Sequence, residues 1–307
     1  MILLAIMIGF IIPIQTAVNT RLSLNLKSPI FSSSISFIIG TVFLGIIVIL
    51  SKSYVLVLSK TFWNLPIWIW LGGIFGVVAL TSNILLFPKI GGMQTVLMPL
   101  VGQIIMSSLI DCFGWFDSAV HSFNGLRFLG ILISLIGTII IVTNNKDKKY
   151  SKRSSSKSKF KWVILGIVAG ACISVQSSIN ARLGSLLSST VLPTFISFLL
   201  GSIILVIILI TANVTGGTKS QITLSIRTVP VWSWSGGLLG AVFVLGNVFL
   251  VPQIGIGVST ISILLGQIIC GVIIDQLGLF NVQKQGMNIT KLFGIILLIS
   301  SVYLLNI

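Results

Sequence analysis

Residues 15–22 read Gln-Thr-Ala-Val-Asn-Thr-Arg-Leu, and residues 176–183 read Gln-Ser-Ser-Ile-Asn-Ala-Arg-Leu. The shared pattern Gln-x-x-x-Asn-x-Arg-Leu recurs 161 positions on, and the correspondence spreads outward from it. Ser36, Phe37 and Gly40 return as Ser197, Phe198 and Gly201. After a three-residue difference in loop length, Pro66, Trp68, Trp70, Gly72, Gly73, Gly76, Asn83, Pro88, Gly91, Gly102, Gln103, Asp111, Gly114 and Phe116 return 164 positions later, from Pro230 to Phe280. The chain therefore reads as two copies of one unit, residues 1–143 and 162–307, joined by the stretch 144–161.

Composition fixes the solvent. With 55% apolar residues, 7% charged ones and a mean hydropathy of +1.14, the chain has more apolar surface than one soluble core of its length can hide. Segments of roughly 20 apolar residues span a bilayer as helices. The pattern predicts ten of them, at about 2–20, 30–50, 67–87, 93–111, 126–143, 162–180, 191–212, 231–251, 256–275 and 291–306. The expected fold is an all-α integral membrane protein with five spanning helices per copy. A unit of five ends on the side opposite its start, so the second copy is inverted relative to the first, an internal pseudo-dimer. Repeats of this kind build transporters around a central site.

The formal charge of +15 would suggest nucleic acid in a soluble protein. Here the basic residues fall in loops, where the positive-inside rule accounts for them. Arg21, Lys27, Lys89, eight Lys/Arg between 146 and 161, Lys219, Arg227, Lys284 and Lys291 fall on one side, against Lys52, Lys60, Arg127 and Arg182 on the other. This asymmetry predicts a cytoplasmic linker and both termini outside, in a bacterial-type plasma membrane. The serine-rich linker reads as a solvated tether, with contact to anionic membrane lipid as its functional alternative. The first residues lack a basic n-region and match an internal helix of the second copy, so they read as a spanning helix and not as a cleaved signal peptide.

Cys112, Cys172 and Cys270 have no metal-ligand spacing, His121 lies in a loop, and glutamate is absent. No nucleophile, base and ligand set suggests an enzyme. Neither a metal nor a cofactor is expected.

The candidate binding residues are uncharged. Gln15 and Asn19 lie four apart on the first helix, as do Gln176 and Asn180 on the sixth, so each pair shares a face. A buried amide needs partners; these groups either bond helix to helix or face a solute. Gln103 and Gln267 lie on polar stripes of the fourth and ninth helices, and Asn83 and Asn247 share a face with Gly72 and Gly76, and with Gly236 and Gly240, respectively. The glycines themselves are explained by close helix packing. Asp111 and Asp275 are the acidic residues at or near spanning segments. They are candidates for coupling or gating, or hydrated groups at helix ends paired with a nearby Arg or Lys. Pro13 and Pro99 are candidate kinks, with Ser174 and Ile263 at the corresponding places of the second copy.

The repeated Gln-x-x-x-Asn-x-Arg-Leu, the Ser-Phe-x-x-Gly of the second helix, the Gly-Gly-x-x-Gly of the third and the Gly-Gln of the fourth resemble the YdcZ-like branch of the drug/metabolite transporter superfamily, over nearly the whole chain apart from the linker. The chain is similar to the fused antiparallel form of that branch. The resemblance implies a ten-helix bundle with four helices of each half around a central cavity and the fifth helices peripheral. It also implies export or exchange of small metabolites, often coupled to protons. Small multidrug-resistance relatives use a glutamate in the first helix, where this sequence offers Gln15 and Asn19.

The expected function is thus a secondary transporter, an exporter of a small polar or amphipathic metabolite working by alternating access, with the eight amides facing the solute. A flippase for a lipid-linked substrate and a non-transporting membrane scaffold are the alternatives.

Overall fold

The structure is a computed structural model describing residues 1–90, 92–118, 124–143, 156–214, 229–281 and 288–305. Among these it is helical, with short 3-10 turns between helices and no strand. The helices are α1 (Ile2–Gly9), α2 (Ile11–Leu26), α3 (Pro29–Leu50), α4 (Lys60–Trp63), α5 (Gly72–Ile90) and α6 (Gly92–Phe113). They continue with α7 (Gly125–Thr143), α8 (Ser156–Leu187), α9 (Val191–Val214), α10 (Gly236–Ile254), α11 (Ile256–Leu277) and α12 (Ile289–Leu305).

Among the described residues seven helical segments are long and apolar enough to cross a bilayer, one of them Ile2–Leu26, which combines α1 and α2. In α6, α7 and α12 the apolar stretches are shorter: Met98–Phe113, Phe128–Gly137 and Leu292–Ser301. This is the architecture of an integral membrane protein, and α3 shows why. Ile38, Val42, Ile46 and Ile49, three and four apart, form an exposed apolar stripe, while Phe37, Gly40, Leu44 and Val48 form the buried one. Water would penalise the first stripe and lipid does not.

Pro13 has the expected local effect. The first span is interrupted at Phe10, just past Gly9, the residue whose carbonyl a proline at position 13 would leave without its helical partner. Phe10 keeps helical torsions (φ −60°, ψ −25°) and its N–H donates to the Met7 carbonyl at 3.2 Å, so the helix tightens for one turn there without changing direction sharply. In the second copy Ser174 takes this place, α8 runs unbroken, and the serine hydroxyl donates to the Gln103 carbonyl at 3.0 Å. Pro99 lies within α6, which continues through it. One boundary differs from expectation: α8 begins at Ser156, so the last part of the predicted tether is helical. A helix can leave the bilayer and continue in water, where Lys and Ser side chains are solvated, and apolar periodicity cannot mark such a start. The remainder of the linker, His121 and the side chain of Asp275 lie outside the described residues.

Repeated residues make repeated contacts. Trp68 meets Phe116 with ring centroids 5.6 Å apart, and Trp232 meets Phe280 at 5.8 Å. Each phenylalanine follows a glycine in the left-handed region, Gly114 (φ 63°) and Gly278 (φ 66°), and is itself left-handed. That conformation is rare for a bulky residue, and the tryptophan packing accompanies it at both sites. Corresponding elements also face one another: α3 packs on α9, α6 on α11 and α7 on α12. Phe37 and Phe198 have centroids 5.1 Å apart, and Thr41 Oγ1 lies 2.9 Å from Ser202 Oγ.

Candidate functional site

The repeated motifs prove to be complementary to each other across the two copies. Gln15 and Asn19 on α2 lie against Gly240 and Gly236 on α10, and Gln176 and Asn180 on α8 lie against Gly76 and Gly72 on α5. An ideal Cβ on any of these four glycines would overlap the facing amide. Amides four apart thus form a ridge, glycines four apart form the groove that receives it, and the spacing of one motif requires that of the other. The Ser-Phe-x-x-Gly pattern completes the arrangement. Ser36 Oγ donates to Asn19 Oδ1 at 2.5 Å and Ser197 Oγ to Asn180 Oδ1 at 2.6 Å. The ring of Phe198 covers Gly40, and that of Phe37 covers Gly201.

Between these ridges lies a central cavity with about 530 Å³ of space not filled by atoms, part of it open to the outside. Its polar lining is Gln15, Thr16, Ser36, Asn83 and Gln176. Its apolar lining includes Ile12, Ile173, Phe37, Phe198, Ala79, Leu80, Phe243 and Val244. Hydrogen-bond partners explain which amides reach it. Asn19 and Asn180 are 0% exposed, turned into the ridge-groove contact, with their Oδ1 atoms occupied by serine and their Nδ2 atoms unpartnered. They do not line the cavity. Gln103 and Gln267 are buried with unpartnered Nε2 atoms, and they too lie away from its walls, as does Asn247. Of the eight amides read from the sequence, the cavity brings together Gln15, Gln176 and Asn83.

A wider pocket, about 1030 Å³ of unfilled space, opens where α6, α8 and α10 end and α11 begins. Asp111 lines it, buried, with Oδ2 close to Gly257 in the first turn of α11. There a carboxylate meets the positive end of a helix dipole. Asp117 Oδ2 lies 2.9 Å from Arg182 Nε, a charge contact without the alignment of a hydrogen bond. Both groups are substantially exposed, so the pair contributes at most about 1 kcal/mol. Sequence alone places Asp117 in the loop that follows the fourth predicted span. Its partner is distant in the chain, and the one available signal was asymmetry: Arg21 repeats Arg182, but Asn281 stands where Asp117 would repeat. Among the described residues no group of His, Cys, Asp and Glu could hold a metal ion.

The chain has counterparts among known proteins. The family model described as "Putative inner membrane exporter, YdcZ" matches residues 1–140 and 161–304. The chain belongs to the YdcZ family. It is therefore a multi-pass inner-membrane protein of a transporter family, and the matched ranges omit most of the basic linker. No curated protein matches the chain. Among solved structures 23 chains match. One crystal structure, 14% identical in sequence, superposes over 98% of this chain and 95% of its own with a TM-score of 0.56. At that identity the likeness is one of fold alone.

Proposed function

We propose that this YdcZ-family chain is a secondary transporter that exports a small polar or amphipathic solute by alternating access. Two five-helix halves, residues 1–143 and 162–307, would be inverted in the membrane and joined by the cytoplasmic linker 144–161, with ten spanning helices and both termini outside. The observation that carries this reading is the central cavity lined by equivalent residues of both copies, Gln15 with Gln176 and Phe37 with Phe198. A site shared by two inverted halves can be opened to either side by rocking one against the other. The cavity's walls suit binding without covalent chemistry, so the chain is read as a transporter and not an enzyme.

Everted membrane vesicles containing the chain, incubated with a metabolite extract, should accumulate at least one solute that vesicles carrying the Gln15→Ala, Gln176→Ala double variant do not. Identical accumulation in the two preparations, with both proteins inserted and folded, would sink the assignment of the site to Gln15 and Gln176; accumulation no greater than in vesicles lacking the chain would sink the transporter reading.

Orientation is tested separately. A single cysteine at position 155 in a cysteine-free background should resist an impermeant thiol reagent in intact cells and react after lysis. Labelling from outside would reverse the assigned sides and leave the inverted relation of the halves intact.

A further inference from the structure

Asn83 and Asn247 are equivalent in the two copies, yet their surroundings differ. Asn247 is engaged by protein: its Nδ2 donates to the Phe243 carbonyl at 3.0 Å, and its Oδ1 accepts from Ser177 Oγ at 3.3 Å. Asn83 is 7% exposed, lines the central cavity, and has an Oδ1 that is buried without a partner. The sequence differs around the two sites. Thr16 stands where Ser177 would repeat, and Ala79 stands one helical turn before Asn83 where Phe243 stands before Asn247. Ala79 keeps the backbone carbonyl and Thr16 keeps a hydroxyl, yet the Asn83 Oδ1 accepts no hydrogen bond from Thr16. Two nearly equivalent walls thus become one wall with a free amide and one without.

We propose that Asn83 is the specificity-determining contact of the transported solute. The solute binds in one orientation, with an uncharged polar end, hydroxyl or amide, at Asn83 and an apolar remainder among Phe37, Phe198 and Phe243. This rests on the central cavity being the transport site and names the solute class for it. An amide side chain can donate or accept, so either neutral group satisfies it. Among the described residues no charged side chain lines the cavity, and a bare charge moved there would lose its hydration without an opposite charge in return. Neutral amphipathic molecules are selected and ions are rejected.

The test uses the full chain in lipid nanodiscs, photolabelled by an aliphatic alcohol bearing a diazirine, with hexanamide, hexanoate and hexylammonium as competitors. Wild-type adducts should map to cavity residues of α5 and α10, and hexanamide should protect them at least about tenfold better than either ion. Asn83→Ala should weaken that protection about tenfold, the equivalent of one hydrogen bond, whereas Asn247→Ala should leave it within about twofold. Asn83→Leu, which keeps the branched shape and the number of heavy atoms, provides the same reading should the alanine variant fold poorly. Equal losses at Asn83 and Asn247, or ions protecting as well as hexanamide, would overturn the proposal and leave the cavity as the site. Wild-type adducts confined to lipid-facing residues would instead remove the cavity reading itself.

Discussion

Alanine at Gly102 or Gly170 is expected to destabilise the folded protein by about 3 kcal/mol, the upper part of the range for overpacking a filled interface. A Cβ at Gly102 would overlap the carbonyl oxygen of Ile167, and one at Gly170 the carbonyl oxygen of Pro99. These are backbone atoms of α8 and α6, so no side chain can rotate aside and the helices must separate. Where two helices associate in lipid largely through close backbone packing, separation removes the interaction itself. The same contact recurs between α1 and α11, where Gly9 meets the Ile263 carbonyl and Gly266 the Ile6 carbonyl, so all four positions should behave alike. Gly125, with nothing near its would-be Cβ, is the control, and alanine there should be neutral or slightly stabilising. Thermal unfolding in detergent with size-exclusion chromatography reads the difference. A Gly102→Ala variant melting with the wild type would show that α6 and α8 do not approach as described.

What could be read from the sequence follows from how strongly lipid constrains a chain. Backbone groups in hydrocarbon must bond internally, so apolar runs of sufficient length could be read as helices, and the interruption of the first span followed from the missing N–H of Pro13. Duplication could be read because identical residues at a fixed offset need no structural knowledge. Periodicity also placed Gln15 and Asn19 on one face. It could not show that a step of about 6 Å along that face, four residues at the helical rise, passes from a cavity into a closed contact. The partners that decide this, Gly236 and Gly240, lie more than two hundred positions away and read plausibly as packing residues in their own right. Nor could identity at Asn83 and Asn247 reveal their divergence, because it lies in hydrogen bonds made at one site and not at the other, beside neighbours that do not repeat, Ala79 against Phe243 and Thr16 against Ser177. Residues that repeat marked the shared scaffold. Residues that do not repeat distinguish the two walls of the cavity.

Aspartate at position 19 should cost about 3 kcal/mol of stability, whereas glutamate at position 15 should cost distinctly less. Asn19 is fully enclosed: its Oδ1 accepts from Ser36, its backbone carbonyl accepts from Ser32 Oγ at 2.8 Å, and its side chain fills the space above Gly236. A carboxylate there would be nearly isosteric, yet it would be a charge in a fully enclosed site within a spanning helix. Aspartate costs about 2.5–3.5 kcal/mol at the centre of a spanning helix; Asn19 lies off the centre of its span, but its complete burial keeps the cost in that range. Gln15 borders the cavity, where water can follow a charge and reduce that figure. Asn19→Ala, which removes the hydrogen bond without introducing a charge, should cost only about 1 kcal/mol, as membrane hydrogen bonds generally do. It should leave solute affinity unchanged in the protein that remains folded. Asn180 has the same partners in the other copy, Ser197 and Gly72, and should repeat both values. Chemical denaturation in mixed micelles gives the energies, and protection against photolabelling gives the affinity. If Asn19→Asp proved as stable as Gln15→Glu, or if Asn19→Ala lowered affinity as Gln15→Ala does, Asn19 would have to face the solute, and the ridge-and-groove account of its burial would fail.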